Sequence, residues 1–527
     1  MIDSARAIRK GGRTVAFVVA WDFPSIHRWV FGTDRAVEIR GASLLLDQFN
    51  REDMSARLRA ALPGAETVFA AGGSAVHVVD ADRETIEAAG RSLRAEVRRR
   101  TGDGLDLFWG VGALEGATGF RGALAAAFRD LHRRRGAPPA ARADAEPPFV
   151  RRCVSCGAEP AELGCSEPAR DGGGFEWLGP ACRARRDAAA AGRQHGVSAW
   201  ARALGADRDD AEERRARDFH EIGEAAGRRS GYIGVLYADG DGMGRRLQRI
   251  ESAAAYGSFA GALDEAIAAA VRGALRATMP EFDEGERIPA DVLVLGGDDV
   301  VAVVPADRAI RFGLELMRGF EQEARGREPL ARSGDDPPSV SVGIAIARQD
   351  QPFREVVGIC EELLRSAKRR AGAGHGGIDV ADISQTRLRP IDQVREELSV
   401  KNAPEPYRLG TSPWTADELA RLQGLFGALE REFGTTRLRR LLSFVRLGPR
   451  AAAFEIARLV GRLDGSQACR VLDALDELGI GRTADLLGWS RTGEEGGVAW
   501  QTPLADLEQL WVGWPLSGNG KATEGAR

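Results

Sequence analysis

Apolar residues along positions 15–135 change between short continuous runs and a spacing of three and four residues. A short run predicts a buried strand, whereas the wider spacing predicts an amphipathic helix. The predicted elements, in chain order, are a strand at 15–20, a helix at 37–62, paired strands at 66–71 and 74–80 joined by two glycines, a helix at 84–99, a strand at 105–111 and a helix at 120–135. This order is that of a ferredoxin-like domain with antiparallel strand pairs.

The same order of elements recurs between residues 232 and 370. The pattern there predicts a strand at 232–238, a helix at 253–277, paired strands at 292–295 and 300–304, a helix at 308–324, a strand at 340–347 and a helix at 356–370. The two copies share little residue identity, but each has a Gly-Gly pair at its hairpin. We therefore interpret the chain as an internal duplication of one supersecondary pattern.

The remaining segments differ from these copies in composition. Residues 136–150 contain four prolines and predict a linker, whereas leucines three and four positions apart predict helices between Trp414 and Leu487. We expect an α+β fold, with two ferredoxin-like domains separated by a small cysteine-containing helical segment and followed by an all-α domain. The predicted boundaries are 1–135, 136–150 for the linker, 151–230 for the cysteine-containing segment, 231–395, 396–515 for the helical domain and 516–527 for a disordered tail.

Composition narrows the classes of protein that this chain can represent. The 527 residues include 73 basic and 77 acidic side chains, a net charge of −4, so adhesion to nucleic acid or membrane through bulk charge is not expected. No stretch approaches the roughly 20 apolar residues of a membrane span, and the N-terminus lacks the apolar core of a signal peptide. Four of the six cysteines fall within thirty residues, which is typical of a cytoplasmic protein with a local metal site.

Carboxylates cluster in the second copy. Asp239 follows the first strand of that copy, and the hairpin between the second and third strands reads Gly296-Gly297-Asp298-Asp299. The third strand of a ferredoxin-like sheet lies beside the first and antiparallel to it, so we expect this turn to face Asp239 across about 5 Å. The two glycines permit a positive φ and the close approach of a phosphate.

Unpaired carboxylates this close repel each other unless cations neutralise them. Hard oxygen ligands favour Mg²⁺ or Mn²⁺, and two such ions about 4 Å apart can activate a ribose 3′-hydroxyl and stabilise a transferring phosphate. The alternative is an ordinary exposed hairpin tip at Asp298-Asp299 and a strand-end cap at Asp239. Because both pieces occupy matching topological positions, we favour a metal-dependent nucleotidyl-transfer site.

Lys368 lies late in the last helix of the second copy. Lysine is scarce here, with four lysines among the 73 basic residues. A compact ammonium suits a triphosphate, so we expect Lys368 to contact phosphate, the alternative being a solvated helix end. The hairpin of the first copy reads Gly72-Gly73-Ser74-Ala75, which leaves Asp22 without a carboxylate partner. We expect that copy to have a structural or substrate-cradling role.

The cysteine-containing segment predicts a structural zinc site. Cys153 and Cys156 have the spacing of a metal-binding turn, and Cys165 and Cys182 follow. Four thiolates suit a closed tetrahedral Zn²⁺ site, whereas free buried cysteines are the alternative. No base is paired with these thiols in the sequence pattern, so a catalytic role is not expected.

Several motifs together resemble one family, the polymerase-like large subunit of type III CRISPR effector complexes. The second copy supplies Ala-Asp-Gly-Asp-Gly-Met-Gly from position 238, Leu-Gly-Gly-Asp-Asp from 295, Ser-Val-Gly-Ile-Ala-Ile-Ala from 341 and the helix that carries Ala-Lys at 367–368. The first copy supplies Trp-Asp-Phe-Pro-Ser-Ile from 21, Phe-Gly-Thr from 31 and Glu-Ile-Arg-Gly-Ala-Ser from 38. The resemblance covers residues 13 to about 510, and it implies that both copies are palm domains, the second of them catalytic.

The resemblance implies that target RNA, paired with a guide CRISPR RNA in the complex, activates this subunit to convert ATP into cyclic oligoadenylates. Asp239, Asp298 and Asp299 would be metal ligands, with Asp241 a weaker candidate. Gly296 and Gly297 would approach the nucleotide phosphates, as would the Lys368 side chain.

The chain also departs from the family pattern. Many members begin with a His-Asp nuclease domain, but few residues precede the first strand here and no histidine is followed by aspartate, so no DNase activity is expected. The family usually has two Cys-x2-Cys pairs, whereas Gly179 stands where the second would begin. Cys165 then replaces the missing ligand, or the site is three-coordinate or lost.

Two other functions are compatible with the pattern. One is a stand-alone nucleotide cyclase resembling the GGDEF class, and the other is a non-catalytic scaffold that holds RNA and neighbouring subunits. The degenerate first copy and the helical C-terminal domain argue against the former, and the carboxylate cluster argues against the latter.

Overall fold

A computed structural model describes eleven segments, at residues 16–114, 119–136, 149–161, 166–168, 175–191, 198–227, 229–331, 336–372, 374–384, 389–492 and 499–513. Most of the predicted linker, the predicted tail and Cys165 lie outside these residues. The chain divides into two compact units. The first comprises Met1–Ser198 and Met243–Asp264, and the second comprises Ala199–Gly242 and Glu265–Arg527.

The first unit is built on a four-stranded antiparallel sheet. Its strands are β1 (Ala16–Asp22), β2 (Glu66–Ala71), β3 (Ser74–Asp80) and β4 (Phe108–Ala113), in the order β2-β3-β1-β4. This is the ferredoxin-like order that the sequence predicts. The pairing of Asp22 with Ser74 brings the end of β1 beside the β2–β3 turn.

Helices precede and follow these strands. They are α1 (Ile26–Val30), α2 (Ala36–Asp47), a π-helical turn (Gln48–Asp53), α3 (Met54–Ala61), α4 (Arg83–Arg100) and α5 (Gly119–Arg135). The single helix predicted at 37–62 is thus divided by the π-helical turn. The side chain of Asp82 caps α4 by accepting from the Thr85 amide at 2.8 Å, and the residues that α4 buries recur at helical spacing.

The cysteine-containing segment packs on the first sheet's helices within the same unit. It contains β5 (Ser166–Pro168), β6 (Phe175–Trp177) and α6 (Pro180–Ala191). Glycine is required at position 41 of α2, because a Cβ there would lie 1.8 Å from the Arg185 carbonyl oxygen of α6. Glu38, fully buried on α2, accepts from Thr33 and from Arg186 of α6 at 2.7 Å each. These contacts fix α6, and with it Cys182, against α2.

The second unit contains two sheets. Its strands are β7 (Tyr232–Gly240), β8 (Asp291–Gly296), β9 (Asp299–Pro305), β10 (Val340–Arg348), β11 (Gly377–Asp382), β12 (Ser399–Val400), β13 (Tyr407–Leu409), β14 (Trp414–Thr415), β15 (Ser490–Arg491) and β16 (Trp500–Thr502). The larger sheet has the order β14-β11-β10-β7-β9-β8. Its β8-β9-β7-β10 portion repeats the strand order of the first sheet, which confirms the predicted duplication of topology.

The remaining helices complete the described chain. They are α7 (Ala199–Leu204), α8 (Arg208–Glu213), α9 (Phe219–Glu224), α10 (Met243–Leu247), α11 (Ala253–Thr278), α12 (Glu281–Glu284), α13 (Ala306–Gly326), α14 (Glu328–Ala331), α15 (Phe353–Arg370), α16 (Ile391–Glu397), α17 (Ala416–Val445), α18 (Pro449–Val460), α19 (Gly465–Asp476), α20 (Asp506–Leu510) and 3₁₀ turns at Pro503–Ala505 and Trp511–Gly513. Gly434, at φ 70°, kinks α17.

The core of the second unit lies between the large sheet and the helices α13 and α15. Strands β9 and β10 are almost entirely buried, as apolar runs flanked by helices require. Helix α15 packs closely on β10. A Cβ at Gly343 would lie only 2.4 Å from the Leu364 nitrogen, so this contact requires glycine. The packing of α15 on β10 places Lys368 near the ends of β7 and β10.

The C-terminal region is helical but not all-α, so that part of the predicted fold class is wrong. Strands β12, β13, β16 and β15 form a small four-stranded sheet beside the helices α17–α19. Each of these strands has two or three residues, too few for an alternating apolar pattern to identify them. Strand β14 instead joins the edge of the larger sheet beside β11.

No helix among the described residues is both long enough and apolar enough to cross a bilayer.

Candidate functional site

Three carboxylates lie at one edge of the second sheet. Ala238 of β7 pairs with Val300 of β9, so Asp239, one residue further along β7, lies opposite Asp299, the first residue of β9. Asp298 belongs to the turn that joins β8 to β9. The structure therefore places at one strand edge the three aspartates that the sequence analysis singled out.

The charges of these aspartates destabilise one another. Burial, with the adjacent charge of Asp239, raises the pKa of Asp298 to about 7. Burial and the charges of Asp239 and Asp298 raise the pKa of Asp299 well above its usual range. A cluster that resists ionisation in this way gains most from a divalent cation, which stabilises all the carboxylates at once.

Lys368 of α15 is the cation that faces the cluster. Its ammonium donates to Asp239 Oδ2 and, at 3.1 Å, to the carbonyl oxygen of Gly240. Burial disfavours the charged ammonium, but the neighbouring carboxylates, Asp239 above all, outweigh it and raise the pKa of Lys368. Both side chains remain partly open to solvent, 32% for Lys368 and 27% for Asp239, so the ion pair is accessible to an incoming ligand.

Asp241 lies beside this group but has different partners. The hydroxyls of Ser341 and Ser339 donate to its two oxygens at 2.7 and 2.9 Å. Burial raises the pKa of Asp241, although these hydrogen bonds favour its charged form. The sequence analysis did not identify Ser339 and Ser341 as site residues, because the residue to which a serine donates cannot be inferred from the position of the serine in the sequence.

The backbone of the β8–β9 turn also permits the close approach of a ligand. Gly297 has φ 64°, a left-handed conformation that glycine adopts without strain. Gly296 ends β8 and pairs with Asp299, which fixes the turn relative to the carboxylates. Both glycines thus lie at the same edge as Asp298 and Asp299.

The donor set fits a hard divalent cation. Asp239, Asp298 and Asp299 offer six carboxylate oxygens at a partly open strand edge, and Mg²⁺ and Mn²⁺ prefer oxygen ligands of this kind. These are the residues that would hold the ions.

The corresponding place in the first sheet is different. Asp22 pairs with Ser74 and so occupies the position along β1 that Asp239 occupies along β7. The hairpin there supplies no carboxylate, and Arg135 Nη1 lies 2.8 Å from Asp22 Oδ2. Burial nevertheless raises the pKa of Asp22. Arg135 of α5, whose side chain is 39% exposed, thus provides the positive charge in the first copy.

Three of the four predicted zinc ligands come together in the first unit. The sulfur atoms of Cys153, Cys156 and Cys182 lie within 4.8 Å of one another and are buried. Hydrogen bonds from the other two thiols lower the pKa of Cys153, and the backbone amides of Cys156 and Gly179 also favour its thiolate. None of these three cysteines forms a disulfide bond. Thiolates this close fit a soft metal ion such as Zn²⁺.

Comparisons with known proteins show what this chain is similar to. Residues 232–374 match the sequence model described as Cas10/Cmr2, second palm domain. No curated protein sequence matches the chain. Among solved structures, Csm1 of T. onnurineus aligns with a TM-score of 0.57 and 16% identity, over 95% of this chain and 69% of that chain.

Two Csm1–Csm4 cassettes align similarly. The complex with cA4 gives a TM-score of 0.52 at 16% identity, over 86% of this chain and 66% of that one. The apo cassette gives 0.51 at 15% identity, over 88% and 67%. The chain spans between 53% and 69% of the length of the Csm1 chains to which it is similar.

The second ferredoxin-like sheet is thus a palm domain. Its residues 232–374 are similar to the Cas10/Cmr2 second palm domain, and the chain shares the fold of the solved Csm1 structure.

Proposed function

We propose that the chain is the large subunit of a type III CRISPR effector complex and that its second palm is a nucleotidyltransferase that converts ATP into cyclic oligoadenylates. The observation that carries this proposal is the convergence of Asp239, Asp298 and Asp299 at one sheet edge, within the residues that match the palm model. A purely scaffolding subunit has no use for carboxylates that repel one another.

The proposed reaction joins the 3′-oxygen of one adenosine to the α-phosphorus of another ATP, with release of pyrophosphate and loss of the hydroxyl proton to solvent. Two bound Mg²⁺ or Mn²⁺ ions would lower the pKa of the 3′-hydroxyl and neutralise charge on the phosphates. Asp239, Asp298 and Asp299 would hold these ions. Lys368 releases Asp239 and binds a phosphate oxygen instead, while Gly296 and Gly297 leave room for the phosphate to approach.

The solved relatives support the choice of partners and product. The related Csm1–Csm4 cassettes were solved with cA4 and with pppApApA. We extend this to a partner subunit of the Csm4 kind, with guide and target RNA reaching the chain through the assembled complex. In this proposal the first palm is non-catalytic, because the positive charge beside Asp22 comes from Arg135.

The test is an assay of the purified chain, alone and in its guide-loaded complex with target RNA, using labelled ATP with Mg²⁺ or Mn²⁺. The Asp298→Ala/Asp299→Ala double variant removes two carboxylates of the cluster. Its matched control is Asp209→Ala/Asp210→Ala, which removes an adjacent and exposed aspartate pair from α8.

We expect pyrophosphate and oligoadenylate from the wild type and the control, and loss of both from the double variant by about a thousandfold. Dependence on target RNA would place the activity in the effector complex, whereas turnover by the chain alone would favour a stand-alone cyclase. If neither the wild type nor the double variant yields product, the result would favour the non-catalytic scaffold function.

A further inference from the structure

The cysteine cluster lacks one ligand for a closed zinc site. Structural Zn²⁺ is almost always four-coordinate, but the described residues contribute three thiols, those of Cys153, Cys156 and Cys182. No fourth metal-binding atom of the described segments lies within the same 4.8 Å. A ligand must therefore come from a side chain that moves towards the thiols or from a residue outside these segments, such as Cys165.

Position 179 indicates where the fourth ligand would stand. Gly179 precedes Cys182 by three residues, the spacing that Cys153 and Cys156 use. Its amide also donates towards the Cys153 sulfur, so this backbone lies against the cluster. A side chain at position 179 would consequently start from the edge of the thiol group.

Glu159 occupies that space. A Cβ at Gly179 would lie 2.8 Å from Glu159 Oε2 and 3.0 Å from Glu159 Cβ, closer than real side chains approach. The Oε2 atom is itself buried. The carboxylate of Glu159 thus fills the space that a side chain at position 179 would need.

The backbone keeps Glu159 next to the thiols. The Cys153 amide donates to the Glu159 carbonyl oxygen at 2.8 Å, and the Gly157 amide donates to the Cys153 carbonyl oxygen at 2.9 Å. Residues 153–159 therefore form a tight loop that returns to its own first cysteine. A change in the side-chain torsions of Glu159, in exchange for its present contacts, would turn its carboxylate towards the three sulfurs.

We propose that Glu159 is the fourth ligand of a Cys₃Glu zinc site in this chain. Carboxylate oxygen is an ordinary zinc ligand at about 2.0–2.2 Å. Three thiolates and a carboxylate leave the site with an excess of negative charge. Arg185, which is buried and lies with Nη1 3.4 Å from Cys182 Sγ, provides compensating positive charge.

The test measures metal binding by the full chain, expressed with zinc and purified under reducing conditions. Zinc content is measured by mass spectrometry and zinc affinity by competition with a chromogenic chelator. Cobalt(II) replaces zinc in parallel samples, since the intensity of its thiolate charge-transfer bands reports the number of sulfur ligands. The variants are Glu159→Gln, Glu159→Cys, Cys165→Ser and, as a positive control for loss, Cys153→Ser.

We expect one zinc per chain and bands from three thiolates in the wild type. Glu159→Gln should weaken zinc binding by about tenfold or more, Glu159→Cys should restore it with a fourth thiolate, and Cys165→Ser should leave affinity and spectrum unchanged. Four thiolates in the wild type, loss of zinc in Cys165→Ser, or a chain that binds no zinc would each overturn the proposal. Circular dichroism of each variant distinguishes a lost ligand from a lost fold.

Discussion

Arg135 lies against Asp22 in the first sheet, at the position where the second sheet presents Asp239 to two further aspartates. The two aspartates end equivalent strands of one duplicated topology, yet the cation beside one is a guanidinium and the cation beside the other is an ammonium. A guanidinium keeps its charge at any relevant pH. Asp22 thus has a permanent positive charge beside it, but no second carboxylate in its hairpin with which to share a metal ion.

Equivalent substitutions at these two positions should therefore differ in effect. Asp239→Asn should reduce oligoadenylate synthesis by about a thousandfold, because it removes a charged ligand of the proposed ions. Asp22→Asn should leave the rate within about twofold, since no reacting group is expected there. Initial rates of pyrophosphate release measure both. A large loss in Asp22→Asn with its fold intact would assign the first palm a part in the reaction.

Stability of the metal-free protein should depend on pH through the carboxylate cluster. The pKa of Asp298 is raised to about 7 and that of Asp299 is raised further above its usual value, so the folded state holds protons that the unfolded state has released above about pH 4. Stability contributed by these groups is greatest at low pH and falls as the pH rises towards about 7.

The melting temperature with a chelator present should accordingly fall between about pH 5 and pH 7, and added Mg²⁺ should raise it most at the upper end. Asp298→Asn/Asp299→Asn should flatten both dependences, because asparagine does not titrate. The same slope in wild type and variant would show that other groups set the pH response.

Removal of the Lys368 charge should have opposite effects on metal and nucleotide. In Lys368→Met the Asp239 carboxylate loses its ammonium partner, so Mn²⁺ should bind the nucleotide-free chain about two- to fivefold more tightly. The value of kcat/KM for ATP should fall by about tenfold, because the phosphate contact is lost.

Electron paramagnetic resonance of free Mn²⁺ measures the first effect, and steady-state kinetics measure the second. Lys401→Met is the matched control, since Lys401 is exposed in a turn of the C-terminal region. Weaker Mn²⁺ binding in Lys368→Met would mean that the lysine supports the cation site rather than competing for it.

The packing of α15 on β10 should be sensitive to one methyl group. Gly343→Ala would place a Cβ 2.4 Å from the Leu364 nitrogen and 2.5 Å from the Cys360 carbonyl oxygen, which should destabilise the chain by about 1–3 kcal/mol. Displacement of α15 should also lower activity, because Lys368 lies on it. Denaturant unfolding measures the change.

Gly358→Ala provides a matched control on the same helix. No atom lies within 4 Å of a Cβ there, and alanine is favoured over glycine in a helix by about 1 kcal/mol. This variant should be as stable as the wild type or more so. Equal destabilisation by the two substitutions would contradict the close packing at Gly343.

The buried ion pair between Arg395 and Asp379 should be important for the fold of the second unit. Asp379 of β11 is fully buried and Arg395 of α16 is 13% exposed, so Arg395→Met would leave an uncompensated charge, at a cost of about 3–5 kcal/mol. The Asp379→Asn/Arg395→Met variant should recover most of that loss in the same unfolding experiment.

The exposed pair of Arg389 and Glu397 is the control for this effect. Their side chains lie 2.7 Å apart but remain largely in solvent, so Arg389→Met should cause no measurable change. An Arg395→Met variant as stable as Arg389→Met would show that water reaches Asp379.

The fold was predictable where the apolar pattern was long. Strands such as β7 and β10 and helices such as α13 and α15 have enough residues to show their period, and the paired glycines mark both hairpins. Strands of two or three residues, such as β14 and β16, carry no period. They form because partner strands already present an edge, which is a property of the tertiary structure rather than of their own sequence.

The candidate site was predictable in part for a similar reason. The positions of Asp239, Asp298 and Asp299 follow from strand order, since strand order fixes which ends meet. The contacts of Lys368 with Asp239, of Ser341 with Asp241 and of Arg135 with Asp22 join elements far apart in the chain. Side-chain directions across such distances depend on packing, and no spacing in the sequence encodes them.

The duplicated hairpins also have a historical consequence. In an ancestor with two equivalent copies, either strand edge could have held the active site. A substitution that inactivated one copy would then have been compensated by the other. Under the proposed assignment, the hairpin at Gly72-Gly73 is not required for phosphate transfer. Under the same assignment, selection at this hairpin acts on folding rather than on catalysis, so the two copies of one topology are constrained in different ways.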